Sequence, residues 1–381
     1  MVERTLKILA PTRYPWRFNS PRNSRHDISI RSFLPANYIS NAIEGVTVLN
    51  PWPPRRFDLV HAFNRLPIGG TPYLISFESH LPRGFGLESS WLFKAMRRSL
   101  ASGRCRSIVA ISDYARRQFL RQHADTPEGP ALEAKLTLRY PNFPMPQGPD
   151  PFLSLDDGDA GQDDVRVVFV GNHFGRKGGS VAVRMAELAL QHEVPLRVDI
   201  VSAMEVGAAS WTDPTSPGYF DRDHALLKLP NVRHHGKLAN KEVLHLIGRA
   251  HFVLLPTFSD SFGYSAIEAM ANHTPVVATA QGALPEFIHD GENGILVSLD
   301  TDDVGEWVHI GHPDRGSAAY AALYRAEVDR LAEESLDKVW RATRDKTGYL
   351  ALRRNARQTA ERTFSADDAN RFWDDYYCRL A

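Results

Sequence analysis

Cysteine is scarce: Cys105 and Cys378 are the only two in 381 residues, and they stand far apart. Such a pair builds neither a disulfide framework nor a metal-ligand spacing, and it suits a reducing compartment. Long apolar runs are absent as well, none approaching the ~18 residues that mark a membrane span. The opening MVERTLKILAPTRYPW has a short apolar run followed at once by Pro11, so it lacks the apolar stretch and cleavage site of a secretion signal. The expected location is cytoplasmic, with a peripheral membrane contact left open. Net charge is missing too, 45 basic side chains standing against 45 acidic ones. No global field gathers nucleic acid or anionic lipid, so no nucleic-acid partner is expected and any anion must be met by local groups. The fingerprint G-x-G-x-x-G is absent, which removes a nicotinamide-dependent dehydrogenase.

What is present is an ordinary folded composition, 43% hydrophobic and 24% charged. The chain is too long for one core, since single cores stop growing near roughly 250–300 residues. Short β-branched runs alternate with helical patterns, the mark of parallel sheets built from βαβ units. One series comprises residues 6–10, 46–49, 57–63, 72–77 and 106–112, with helices expected near 28–43, 88–101 and 113–123. A second comprises 165–171, 196–202, 231–236, 251–256, 275–279 and 294–297. Between them, 140–164 is rich in Pro, Gly and Asp and reads as a linker. Its Asp156, Asp157 and Asp159 have the look of a solvated cluster rather than a metal site. Residues 318–345 read as a solvated amphipathic helix, and Phe372, Trp373, Tyr376 and Tyr377 near the end as packing residues.

The most informative stretch is HFVLLPTFSDSFGYSAIEAMANHTPVVATAQGALPEFIHDGENGILV, His251 to Val297. Its first loop ends in Gly263 and enters an Ala-rich helix, Ser265 to Ala271, whose first amides have no partner within the helix. Past the strand ends of a parallel sheet, such a terminus favours an anion, a diphosphate above all. Asp260 precedes the helix and Glu268 lies one turn into it. Taken alone, the two carboxylates are equally a helix-end charge and a surface glutamate. Earlier in the same domain, the strand VVFVG ends in Gly171 and passes through Asn172 and a Gly-rich turn into a helix, with Arg176 and Lys177 just before it. Contacts from such a pair to phosphate are charge-assisted and strong. A solvated basic turn is the plain alternative.

These motifs resemble the signature of the family 4 retaining glycosyltransferases, glycosyltransferase group 1: an acid, a Ser/Gly-Phe-Gly turn, a second acid followed by Ala-Met-Ala, then Pro-Val-Val-Ala-Thr. The resemblance implies an α/β fold of GT-B type, two Rossmann-like parallel-sheet domains facing across a cleft. The acceptor domain would span 1–150, with a C-terminal helix at 355–381 packing back on it, and the nucleotide-sugar donor domain 165–350. It implies retaining, metal-independent transfer of a hexosyl group from a UDP- or GDP-linked sugar to a hydroxyl of a carbohydrate or lipid-linked acceptor. No cofactor beyond that donor is expected, and closure of the domains would exclude water. Asp260 would contact donor-sugar hydroxyls and Glu268 the ribose. Amides near Phe262, Gly263, Tyr264 and Ser265 would meet the diphosphate. Lys177 and Arg176 would stabilise the leaving phosphate beside Gly171 and Asn172, with the nucleobase near Val201 to Val206.

Two departures stand out. Asp260 occupies a position where the family usually has Glu, and Asn172 one where many members have Arg. In the first domain, the family's strand-end His falls on Glu78 in PYLISFESH, two residues before His80; Glu78 therefore enters as a catalytic candidate. The loop at 11–29 carries Arg13, Arg17, Arg22, Arg25 and His26, which suit either an anionic acceptor or plain solvation. Asp113 reads as a helix N-terminal charge. From another class comes a catalytically silent nucleotide-sugar-binding or scaffold protein of the same fold, which loss of Asp260, Glu268 or Lys177 would favour.

Overall fold

A computed structural model describes residues 4–11, 14–34, 45–49, 55–84, 86–154 and 164–381. Arg13 and the Asp156, Asp157, Asp159 cluster lie outside them. Contacts divide the chain into two units, Met1–Pro144 with Thr363–Ala381, and Met145–Arg362. Among the described residues, no helix is long and apolar enough to cross a membrane.

In the first unit the chain runs β1 (Lys7–Pro11), α1 (Tyr14–Phe18), β2 (Asp27–Arg31), β3 (Phe33–Leu34), β4 (Val46–Leu49), β5 (Leu59–Phe63), β6 (Leu66–Pro67) and β7 (Tyr73–Phe77). It continues through α2 (Trp91–Ala101), β8 (Cys105–Ala110), α3 (Asp113–His123), α4 (Gly129–Glu133) and β9 (Leu136–Leu138). Six strands form a parallel sheet in the order β2-β1-β5-β7-β8-β9, and β3, β4 and β6 make a small side sheet. The helix expected near 28–43 is corrected: β2 and β3 occupy its start, and residues 35–44 are outside the described set. The run Asp27-Ile28-Ser29-Ile30-Arg31 alternates with period two, as an edge strand does, rather than with the period of a helix.

In the second unit, β10 (Val165–Val170), α5 (Gly179–Gln191), β11 (Leu196–Val201), α6 (Asp221–Leu226), β12 (Val232–Gly236), α7 (Asn240–Arg249), β13 (Phe252–Leu255), α8 (Tyr264–Ala271), β14 (Val276–Thr279) and β15 (Ile295–Val297) alternate. The parallel order is β12-β11-β10-β13-β14-β15, the Rossmann arrangement, and it reverses between β10 and β13. The long α9 (Ala318–Arg344) is more than a solvated helix. Tyr320, Tyr324, Val328, Ala332, Leu336 and Val339 recur at three- and four-residue spacing and are buried against the core that includes α5 and the sheet.

Two helices fill the C-terminal stretch. α10 (Lys346–Thr363) belongs to the second unit, and α11 (Ala366–Leu380), capped by Ser365, to the first. Alternate residues of the first sheet face opposite ways. Leu9, Val60, Ile75 and Ile108 pack towards α2 and α3, whereas Ile8, Leu59, Leu74 and Val109 pack towards Trp373 and Tyr377 of α11. His61, wholly buried in that second layer, bonds Tyr377 Oη at 2.8 Å and Ser76 Oγ at 3.0 Å, and burial pushes its pKa down to about 3, so it is neutral. The aromatic residues near the chain's end are packing residues.

In the second unit, Arg353 of α10 is 1% exposed and grips Asp150 with two 2.7 Å bonds, while a further nitrogen reaches the Ala250 carbonyl at 2.9 Å. Removing one partner of such a pair strands a buried charge. Arg353→Met should therefore lower the stability of this unit by ~3–5 kcal/mol. The double variant with Asp150→Leu should recover a large share of that loss in urea unfolding.

Candidate functional site

The reversal between β10 and β13 brings the loops at their carboxyl ends side by side, where ligands of open parallel sheets bind. The loop after β10 turns sharply into α5 through Gly178, at φ 88°, where a Cβ would lie 2.1 Å from the Pro256 carbonyl oxygen. No side chain fits there, so the two loops touch backbone to backbone. The Arg176 carbonyl accepts from the Phe258 amide and from Thr257 Oγ1, each at 2.9 Å. In return the Arg176 guanidinium donates to the Ser259 carbonyl, and the Lys177 ammonium pairs with the Asp260 carboxylate. Burial would raise the Asp260 pKa, but the charges of Lys177 and Arg176 and the hydrogen bonds from Lys177 and the Phe262 amide outweigh it and hold the group below its ordinary value.

In the turn that enters α5, Lys177 N donates to the His173 carbonyl, Gly178 N to that of Gly175 and Gly179 N to that of Phe174. The loop after β13 likewise ends at a helix start. Gly263, at φ 82°, leads into α8, and Tyr264 and Ser265 are its half-buried first residues. Phe262 is buried beneath, stacked on Phe287 with ring centroids 5.4 Å apart. Glu268, five residues into the helix and 6% exposed, accepts from Asn240 Nδ2 at 3.3 Å, which ties it to the start of α7. Gly171 and Asn172 follow β10, and the Asn172 carbonyl accepts from the Glu205 amide at 2.9 Å while Asn172 is exposed. The structure therefore gathers Lys177, Arg176, Asp260, Phe262, Gly263, Tyr264, Ser265 and Glu268 at one edge of the second unit. Among the described residues, no cluster of His, Cys, Asp or Glu is arranged to hold a metal ion.

Glu78 belongs to the first unit, at the carboxyl end of β7. Its carboxylate accepts from Arg83 at 2.6 Å and from Asn64 Nδ2 at 3.0 Å. In the basic loop, the Arg22 guanidinium donates to Asn142, Arg25 donates to Asp374 through its amide and to Asp375 through its guanidinium, and the buried His26 lies between the Leu6 amide and the Asp374 carbonyl. These side chains hold the fold of the first unit together. Asp113 sits in the first turn of α3 beside the capping Ser112, paired with Arg116 and Arg117.

Two site neighbours escape sequence reasoning. The indole of Trp211 lies under the Arg176 guanidinium, 5.3 Å from ring centroid to the guanidinium carbon, and donates to Ser259 Oγ at 3.1 Å. Asp213, with no exposed surface, is packed against Gly175 and accepts from Gly207 N and Thr212 Oγ1, each at 3.1 Å. Both come from a stretch without periodicity, and only the tryptophan in a Pro- and Ser-rich loop is a visible signal.

Comparison with known proteins places the fold. The fold is GT-B, two Rossmann-like units. The chain superposes on Anabaena HepE, solved in complex with UDP and glucose, with a TM-score of 0.60 at 15% identity over 98% of this chain and 100% of that one. It superposes on a glycosyltransferase from Rickettsia africae with a TM-score of 0.62 at 14% identity, covering 99% of both. Residues 164–309, within the second unit, match the family described as Glycosyl transferases group 1. A D-inositol 3-phosphate glycosyltransferase of Mycobacterium sp. (strain KMS) is 39% identical over 94 residues, 25% of this chain. That stretch spans 21% of the relative's own length. The resemblance to family 4 carried by His251 to Val297 stands with these matches.

Burial raises the Asp213 carboxyl from 3.8 to about 6, against lowering hydrogen bonds from Thr212, Gly207 and Ser210 and the charge of Arg176. Its folded value lies above its unfolded one, so its contribution to stability is full below about pH 4 and is lost as the pH rises through about 6. Asp213→Asn should therefore be more stable than the parent at pH 7.5, by up to ~3 kcal/mol. That advantage should vanish near pH 4 in paired thermal melts.

Proposed function

We propose that this chain is a retaining glycosyltransferase that moves a hexosyl group from a UDP- or GDP-linked sugar to an acceptor hydroxyl without a metal ion. The observation that carries the reading is the pairing of Lys177 and Arg176 with the Ser259–Asp260 segment beside the start of α8. Two cations and a set of helix-end amides there face the place where a departing diphosphate gathers charge. Fixed cations do in this reading what a divalent ion does elsewhere. Asp260 holds the Lys177 ammonium in position and offers its remaining oxygen to sugar hydroxyls. Glu268, oriented by Asn240, accepts from the ribose.

In the reaction, the bond between the anomeric carbon and the phosphate oxygen breaks. The acceptor oxygen bonds to that carbon on the same face, and its proton passes to the leaving phosphate. The carboxylates bind and orient, and neither becomes covalently attached. Preorganised donors of this kind cost no reorganisation as charge develops, and losing one typically lowers turnover by about 10²–10³-fold. The acceptor is expected to be a carbohydrate or a lipid-linked hydroxyl, with Glu78 the candidate in the first unit to meet it.

A thermal-shift screen against UDP, GDP, ADP and their common sugars, with and without chelator, tests the donor. A selective rise unaffected by chelator names the base; no rise at millimolar concentration removes the reading. Lys177→Ala should lower kcat by about 10²–10³-fold while the chain stays folded. Glu268→Ala should chiefly weaken nucleotide binding. Normal turnover in both variants would overturn the site assignment.

A further inference from the structure

Large apolar side chains at the surface are ordinary one by one, whereas ligand sites combine apolar and aromatic side chains with a few placed polar groups. Trp211 is 51% exposed and yet held firmly. Its ring nitrogen donates to Ser259 Oγ, and the Arg176 guanidinium covers part of the indole. The chain around it is clamped. The Trp211 carbonyl accepts from the Gly311 amide at 3.0 Å, Arg315 donates to the carbonyls of Ser210 and Asp213, and Tyr320 Oη donates to the Thr212 carbonyl. An indole fixed at this many points presents a preorganised flat surface, which loses little freedom when something stacks on it.

The position selects which part of a donor reaches that surface. Glu268 and Asn240 mark the ribose end, on α7 and α8. Trp211 instead touches Ser259, the neighbour of Asp260, and its chain is fastened to the segment that leads into α9. Contact with Ser259 sets Trp211 on the Asp260 side of the diphosphate, the side of the donor's sugar in the reading above, rather than with the nucleobase expected near Val201 to Val206. One face of a pyranose ring is lined with C–H groups, and the electron-rich face of an indole attracts such slightly positive edges. Asp260 would take the sugar's hydroxyls and the indole its apolar face.

We propose that Trp211 is a stacking platform for the donor's sugar ring, and so a determinant of which sugar is transferred. This rests on the donor reading above. Calorimetric titration of the full chain with UDP, UDP-glucose, GDP and GDP-mannose tests it on the parent and on Trp211→Ala, Trp211→Leu and Trp211→Phe. The nucleotide alone should bind all four proteins within about twofold, whereas the nucleotide sugar should bind the Ala and Leu variants about tenfold more weakly, with Phe restoring most of the loss. Equal weakening of nucleotide and nucleotide sugar would mean that the ring holds the nucleotide, and no weakening that it holds nothing; either overturns the platform and leaves the donor reading intact. A parent chain that binds none of the four ligands overturns both. Melting temperatures of the variants within a few degrees of the parent establish that the comparison is made on folded protein.

Discussion

Everything proposed for the second unit depends on two loops being fastened to each other at the point where the strand order turns back. β10 and β13 are neighbours in the sheet but are separated by more than eighty residues of chain, and nothing in the sheet itself fixes how their following loops meet. The Arg176 carbonyl, which receives both Phe258 and Thr257, supplies that register. With the backbone fixed, the two basic side chains of the first loop fall against Ser259 and Asp260 of the second. The pairing also resolves a local electrostatic problem. Adjacent cations at a partly buried strand end repel one another, and a carboxylate within reach of both lowers that cost.

The same fastening explains why the α8 terminus carries the proposed anion site. In a dinucleotide fold the pyrophosphate rests on the first helix after the first strand. Here that helix is α5, and the turn into it lies backbone to backbone against Pro256. α8 opens from the adjacent loop, with Gly263 supplying a backbone turn that side chains resist. The sheet order is the familiar one, while the helix offered to an anion is the next one across the reversal.

Much of this was legible in the residues, for reasons that differ from element to element. Strands buried on both faces need near-continuous apolar runs, and β10, β13 and β14 announce themselves that way, while β11 alternates, its Arg197 exposed. β9, with three residues, is too short to show a period, and β2 alternates so briefly that a helix competes with it. α9 hides its buried stripe under an abundance of Glu, Arg and Lys on its other faces. At the site, Asp260, Glu268, Arg176 and Lys177 stand in motifs of fixed spacing. Trp211 and Asp213 reach the same place through a loop whose course is set by Arg315, Tyr320 and Gly175, contacts that bridge distant parts of the chain.

The last helix has a bearing on how the molecule is made. α11 covers the face of the first sheet formed by Ile8, Leu59, Leu74 and Val109, and with Tyr377 it supplies the hydroxyl that satisfies His61. During synthesis that face therefore has no cover until α11 leaves the ribosome, long after β8 and β9 have been translated. Residues 145–362, by contrast, are continuous and have all their packing partners in hand earlier. The order of completion is the reverse of the order of translation: the unit begun first is finished last, and in the interval its half-dressed sheet is the surface a chaperone would meet.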